Sequence, residues 1–159
     1  AVPDRYQGSN DTQLRYGALG SLRLDPVVVL SIMASATRHL GLASTRSTSH
    51  YEPFEVARSF ATLDHLSAGR AAWNVVTSFQ DAEARNFSKK EQVPRNKRYD
   101  RADEFLEVVF KLWDSWQDDA LVQDRKTPLF ADPAKVNYVD HEGEWFSVKG
   151  PLNVSRPGG

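Results

Sequence analysis

Two groups of hydroxyl side chains follow predicted strands, and they are the residues of this sequence best placed to meet a ligand. Thr45 and Ser47 end one stretch, and Thr77 and Ser78 end the next. In parallel α/β sheets and barrels, ligands gather beyond the carboxyl ends of the strands. Two interpretations are open: the hydroxyl groups cap the backbone at the strand ends, or they contact a ligand. Asn74, inside the second stretch, is either a buried polar residue of the strand or a residue that faces a ligand.

Patterns of other common chemistries are absent from the sequence. The four histidines, His39, His50, His65 and His141, do not have the spacing of metal ligands, and there is no cysteine. No nucleophile elbow or glycine-rich phosphate loop occurs either. We therefore predict no metal site, interpret the histidines as structural or surface residues, and leave the catalytic residues unassigned.

The composition indicates one soluble globular unit. The chain has 159 residues, 40% of them hydrophobic, and a net charge of −1. Its strongest basic run, residues 89–101, contains a single aromatic residue, which favours a solvated loop or an anion contact over a nucleic-acid site. No apolar run reaches membrane-spanning length and no signal-peptide pattern begins the chain, so we predict a cytoplasmic location and no membrane partner. The missing initial methionine suggests a piece of a longer protein.

The first helix–strand unit is predicted from its end signals. Asp25 suits an N-cap and Pro26 the first helical position, although the three valines that follow favour a strand locally. Gly41 is expected to end the helix, and Leu42 to Thr45 to form a short strand.

The second unit repeats this plan at nearly the same interval. Pro53 begins a helix with Val56 and Phe60 on one face, and Gly69 ends it. Ala71 to Val76 is then a mostly apolar strand. A strand that is apolar on both faces is typical of a parallel sheet covered by helices.

The rest of the chain predicts an insertion. Residues 79–100 are polar and interrupted by proline, and are expected to form a loop. Residues 101–116 carry an apolar stripe at helical spacing, and residues 135–150 predict a β-hairpin with its turn at His141 to Gly143. The alternation of helix and strand indicates a right-handed α/β sheet or barrel, and two strands alone cannot close an eight-stranded barrel.

Several of these stretches resemble one family. "RSFATLDHLSAGRAAWNVVTS", "RYDRADEFLE" and "VDHEGEWFSVKGPLNV" are similar to bacterial luciferase-like flavin monooxygenases, in the branch that acts on nitrilotriacetate, dibenzothiophene sulfone or long-chain alkanes. The resemblance implies an α/β fold, a partial (β/α)8 TIM barrel. Residues 1–159 would be a single segment, incomplete at both ends, holding strands three and four, their helices, and an insertion with a helix and a β-hairpin.

The resemblance also implies a chemistry. A separate NAD(P)H:flavin reductase supplies reduced FMN, and the monooxygenase uses it with O2 to oxidise a sulfone, an aminopolycarboxylate or an alkane. The implied FMN contacts are Thr45, Thr77, Ser78, Arg95 and Tyr99, and the implied substrate contact is Phe79. Arg95 stands where the family commonly has histidine, and would pair with the phosphate. Ser88 stands where the family has glycine, so the backbone angle that glycine permits is expected to be absent.

One alternative remains open at this stage. If the 159 residues are the whole product, most of the barrel is missing, and the chain is a non-catalytic remnant or interaction module. Its open strand edges would then favour association with another copy. We predict that the isolated segment has no activity and that the protein forms a homo-oligomer.

Overall fold

A computed structural model describes residues 15–17 and 23–158 of the chain. Its helices are α1 (Pro26–Ala36), α2 (Pro53–Ser67), α3 (Asp81–Arg85) and α4 (Arg95–Trp113), with a 3-10 turn at Pro133–Lys135. Its strands are β1 (Leu42–Ser47), β2 (Ala71–Val76), β3 (Leu121–Asp124), β4 (Leu129–Ala131), β5 (His141–Glu142) and β6 (Ser147–Val148). No helix within these ranges has the length and apolar character needed to cross a membrane.

Helix α1 begins as predicted and ends earlier than predicted. Asp25 Oδ1 accepts hydrogen bonds from the backbone N–H groups of Val27 and Val28, at 2.9 and 3.3 Å. The helix ends at Ala36 instead of near Gly41. The cause is a tertiary contact: the Arg70 guanidinium donates to carbonyl oxygens of Ala34, Thr37 and Leu40, and so satisfies the end of the helix.

Strands β1 and β2 lie parallel, in a register that pairs Leu42 with Ala71 and Ser47 with Val76. Helix α2 connects them and ends as predicted, because Ala68 and Gly69 both adopt left-handed backbone, with φ of 55° and 79°. Within the described part of the chain, the helices pack on one face of this strand pair. On the opposite face, Ala43, Ala72 and Asn74 are exposed.

The largest core cluster lies between α2 and α4, together with Phe146 and Leu152, and Trp73 of β2 packs against it. Phe105 of α4 contacts Trp73 of β2, with ring centroids 5.8 Å apart, and Phe146 at 5.5 Å. Helix α4 begins at Arg95, not near Arg101 as predicted, and α3 lies in the segment predicted to be a loop. The polar start of α4 carries no apolar stripe because that end of the helix does not face the core.

The insertion contains two antiparallel hairpins, β3–β4 and β5–β6, where one was predicted. The predicted turn at His141 to Gly143 is wrong, because His141 lies in β5 and pairs with Val148. The turn lies after Glu142, where the Glu104 carboxylate accepts hydrogen bonds from the N–H groups of Trp145 and Phe146. This helix carboxylate selects the position of the turn.

Candidate functional site

A cleft of about 760 Å³ opens at the carboxyl ends of β1 and β2, beside the first turns of α4. The structure brings all six predicted site residues to its wall: Thr45, Thr77, Ser78, Phe79, Arg95 and Tyr99. The strand ends supply the hydroxyl groups, the segment after β2 supplies Phe79, and α4 supplies the arginine and tyrosine. Their individual roles remain predictions.

Two residues just beyond β1 hold the ends of the two strands together. Thr48 N–H donates to Val76 O at 2.9 Å, and the Ser49 hydroxyl donates to Thr77 O, so these residues tie the loop after β1 to the end of β2. Thr45 lines the cleft, where its Oγ1 accepts from Asn74 Nδ2 at 3.0 Å. Asn74 therefore faces the cleft and is not a buried polar residue.

Ser78 is held in an unusual conformation. Its φ of 51° is in the left-handed region, which costs a non-glycine residue about 1–2 kcal/mol. Its Oγ lies 2.8 Å from Ser47 Oγ and 2.9 Å from Glu83 Oε1. Strained backbone that the surroundings hold in place is common at functional sites. Here it orients the Ser78 hydroxyl at the cleft wall.

The opening of the cleft has an aromatic and cationic side. Phe79 is 70% exposed and Tyr99 50% exposed, which leaves both rings available for contact. The Arg95 guanidinium lies 5.7 Å from the centre of the Tyr99 ring. Planar heteroaromatic ligands stack favourably on such rings and guanidinium groups.

An anion fits at the start of α4. Arg95 occupies its first turn, and no side chain caps this helix N-terminus, whose N–H groups carry partial positive charge. Arg98 also lines the cleft, and its buried Nε has no hydrogen-bond partner among the described residues. These donors suit a phosphate group. With the aromatic side chains nearby, the residues present fit a flavin mononucleotide.

Two residues that sequence reasoning missed lie behind Ser78. Glu83, in α3, lines the cleft with a side chain 12% exposed, and the His50 side chain is fully buried with Nε2 4.0 Å from Glu83 Oε1. The His50 ring stacks on Phe87 at 4.6 Å. Burial, together with the positive charges of Lys89 and Arg101, lowers the pKa of His50 to about 4, so its ring is neutral at pH 7. Only the short spacing from Ser78 to Glu83 could have signalled this group.

The backbone after α3 corrects one expectation. Ser88 has a φ of 62°, so the left-handed angle expected to be lost with the glycine is present. A turn at the end of α3 imposes it, through hydrogen bonds from Ser88 N–H to Arg85 O and from Lys89 N–H to Ala84 O. No group of three or more potential metal ligands occurs within the described ranges.

A parallel β–α–β unit with a ligand cleft at the carboxyl ends of its strands defines a class of α/β enzyme scaffold. Within that class, the chain belongs to the luciferase-like monooxygenase family, whose family model matches residues 6–159. This confirms the resemblance found in the sequence.

Individual relatives place it in the same branch. The chain is 56% identical, over 156 residues, to dibenzothiophene-sulfone monooxygenase of Rhodococcus erythropolis, covering 98% of this chain and 34% of that protein. The crystal structure of a long-chain alkane monooxygenase matches with a TM-score of 0.89 and 41% identity, over 99% of this chain and 36% of the other. Riboflavin lyase, crystallised with modified FMN and riboflavin, matches with a TM-score of 0.86 and 42% identity, over 92% and 33%. The chain thus spans about a third of the length of these relatives.

Proposed function

We propose that this chain is the segment of a (β/α)8 flavin-dependent monooxygenase that carries strands three and four. The observation that supports this most is the single cleft that gathers the hydroxyl groups of Thr45, Thr77 and Ser78 with Arg95 and Tyr99. Family membership supports monooxygenase chemistry, and the riboflavin lyase structure shows a related fold holding a modified FMN. The chain spans about a third of its relatives, so the activity belongs to the protein in its native length.

Residues at two ends of the cleft would contact different parts of the proposed cofactor. The hydroxyl groups at the ends of β1 and β2 would contact the edge of the flavin ring, because they face the cleft beside Asn74. Arg95, Arg98 and the N-terminus of α4 would hold the phosphate. When bound, reduced FMN together with O2 supplies the oxidising chemistry.

The protein's own contribution is to bind, orient and exclude water. Phe79, exposed at the cleft, would contact a small organic substrate and restrict solvent near the ring. The substrate class in this proposal is a sulfone, an aminopolycarboxylate or an alkane, with the sulfone favoured by the similarity to the dibenzothiophene-sulfone enzyme. A separate NAD(P)H:flavin reductase delivers reduced FMN, and the protein is a cytoplasmic homo-oligomer.

The test is a flavin titration of the protein in its native length. We expect stoichiometric binding of reduced FMN, and oxidation of an organic substrate when a flavin reductase and NAD(P)H are added. Arg95→Ala should weaken FMN binding about tenfold, because a charge-assisted contact to the phosphate is lost, while riboflavin binding changes less than about twofold. The matched control is Arg125→Ala, an exposed arginine of the β3–β4 hairpin that does not line the cleft.

Three outcomes would count against the proposal. Absence of flavin binding by the native-length protein would favour the non-catalytic alternative. Equal weakening of FMN and riboflavin by Arg95→Ala would refute the phosphate contact while leaving the flavin site. Turnover by the isolated 159-residue chain would overturn the expectation that the segment alone is inactive.

A further inference from the structure

The Glu83 carboxylate is directed at a residue of the cleft wall, not at solvent. Its side chain is 12% exposed, and Ser78 Oγ lies 2.9 Å from its Oε1. His50 Nε2 stands 4.0 Å from the same oxygen, beyond hydrogen-bond distance. Ser78 is therefore the hydrogen-bond donor to this carboxylate oxygen.

This contact determines what the Ser78 hydroxyl offers to a ligand. A hydroxyl group has one hydrogen to donate and two lone pairs to accept with, whereas an ionised carboxylate only accepts. The hydrogen of Ser78 is therefore committed to Glu83. Ser78 Oγ also lies 2.8 Å from Ser47 Oγ. Because the Ser78 hydrogen is engaged by Glu83, the hydrogen of this second contact comes from Ser47, which itself accepts from Ser49 N–H at 3.2 Å. Ser78 then retains one lone pair for the cleft, and no hydrogen.

Such an acceptor would distinguish the two redox states of a flavin whose central ring nitrogen lies against it. The reduced ring carries hydrogen on a central nitrogen that bears only a lone pair in the oxidised ring. An oxygen that can only accept attracts the N–H group and is repelled by the lone pair. The left-handed backbone of Ser78, with φ of 51°, limits the conformations by which the side chain could escape this arrangement.

We propose that Glu83 is a positioning residue that makes the cleft prefer reduced over oxidised flavin, by holding the Ser78 hydroxyl as a hydrogen-bond acceptor. The inference rests on the proposed flavin site and adds a specificity to it. Glu83 acts through Ser78 and need not touch the ligand. The neutral ring of His50 behind it contributes no opposing charge near pH 7.

The experiment measures the dissociation constants of oxidised FMN in air and of reduced FMN under anaerobic conditions, for the native-length protein and its variants. In Glu83→Ala the Ser78 hydroxyl is free to donate, so the preference for reduced FMN should fall about tenfold, the effect of one hydrogen bond. Glu83→Gln retains an acceptor oxygen and should lose less. Glu91→Ala, an exposed glutamate that does not line the cleft, is the matched control and should keep the wild-type ratio.

Ser78→Ala provides a second route to the same test. It should lower the preference as Glu83→Ala does, and adding Glu83→Ala to it should have no further effect. A folded Ser78→Ala protein with the full wild-type preference would overturn the inference even if Glu83→Ala does not fold.

The remaining outcomes separate this inference from the proposed function. If the wild-type protein binds neither form of FMN, the flavin site is refuted, and the role of Glu83 with it. If it binds flavin and Glu83→Ala leaves the ratio unchanged, only the role of Glu83 is refuted. If Ala and Gln both raise the preference for reduced FMN, Glu83 acts through its negative charge on the reduced ring, and the positioning role is wrong.

Discussion

Two glutamates of this chain lie largely out of water, and the fold uses them differently. The Glu104 side chain is 14% exposed and accepts from Trp145 N–H, Phe146 N–H and His141, which ties the β5–β6 hairpin to α4. The Glu83 side chain is 12% exposed and accepts from Ser78, a residue of the cleft wall. A carboxylate whose donors all belong to the framework holds structure, whereas one whose donor faces a cleft determines what that cleft offers.

The largest effect should come from removing the framework carboxylate. Glu104→Ala leaves two backbone N–H groups and His141 without their acceptor, and we expect a loss of about 3 kcal/mol in the free energy of unfolding, measured by urea denaturation. Glu107→Ala, one turn further along α4 and exposed, should cost less than about 1 kcal/mol. Equal losses of unfolding free energy in the two variants would show that Glu104 stabilises the fold no more than an exposed glutamate does.

The same carboxylate predicts a pH dependence. Burial alone would raise the pKa of Glu104, but hydrogen bonds from His141, Phe146 and Trp145 hold it below its ordinary value. Because the folded state favours the ionised form, this contribution is present above about pH 4.5 and is lost as the pH falls through the lowered pKa. Glu104→Ala should therefore be less sensitive to acid than the wild type.

A steric change at the hairpin tests the anchor without removing its charge. A Cβ on Gly143 would overlap Glu104 Oε1 and lie 2.7 Å from His141 Nε2. We expect Gly143→Ala to cost about 2 kcal/mol of unfolding free energy, because the hairpin must move off α4. Gly41→Ala has open space around the new methyl group and should change stability by less than about 0.5 kcal/mol. A neutral Gly143→Ala would show that the hairpin is loosely held.

Beside the cleft, the buried imidazole of His50 should make the folded protein less stable in mild acid. The pKa of His50 is lowered to about 4 in the folded protein, whereas unfolding restores its ordinary value near 6.5. The unfolded state therefore binds the proton more tightly, and stability falls as the pH drops from 6.5 towards 4, by roughly 1–2 kcal/mol at pH 5. His50→Phe keeps an aromatic ring against Phe87 and cannot titrate. The free energy of unfolding, measured at pH 7 and pH 5 for this variant and the wild type, therefore isolates the contribution of His50 protonation.

The smallest effect concerns backbone strain beside Glu83. Ser78→Gly and Ser78→Ala both lose the hydroxyl group, but only glycine adopts a φ of 51° without steric cost. We expect the glycine variant to be more stable than the alanine variant by about 1 kcal/mol, the reverse of the usual order, as measured by thermal unfolding. The usual order, with alanine more stable, would show that the segment relaxes when the hydroxyl group is removed.

Local signals predicted much of the fold. Asp25 and Gly69 mark helix ends through contacts within a few residues of themselves, and β2 is apolar enough to be recognised alone. The gathering of the six predicted residues in one cleft followed from two parallel strands ending at the same edge, together with the family resemblance. The start of α4 was missed because an apolar stripe marks only the part of a helix that packs on the core.

The amino-acid sequence by itself therefore determined the helix–strand units, the parallel strand pair, the family and the residues at the strand ends, because each depends on neighbours along the chain or on a motif. Tertiary structure alone decided the end of α1 by Arg70, the turn of the β5–β6 hairpin by Glu104, and the contact of Glu83 with Ser78. The first two contacts join residues more than thirty positions apart, and the third requires the left-handed backbone of Ser78. Side-chain type and spacing do not encode such contacts until packing brings the partners together.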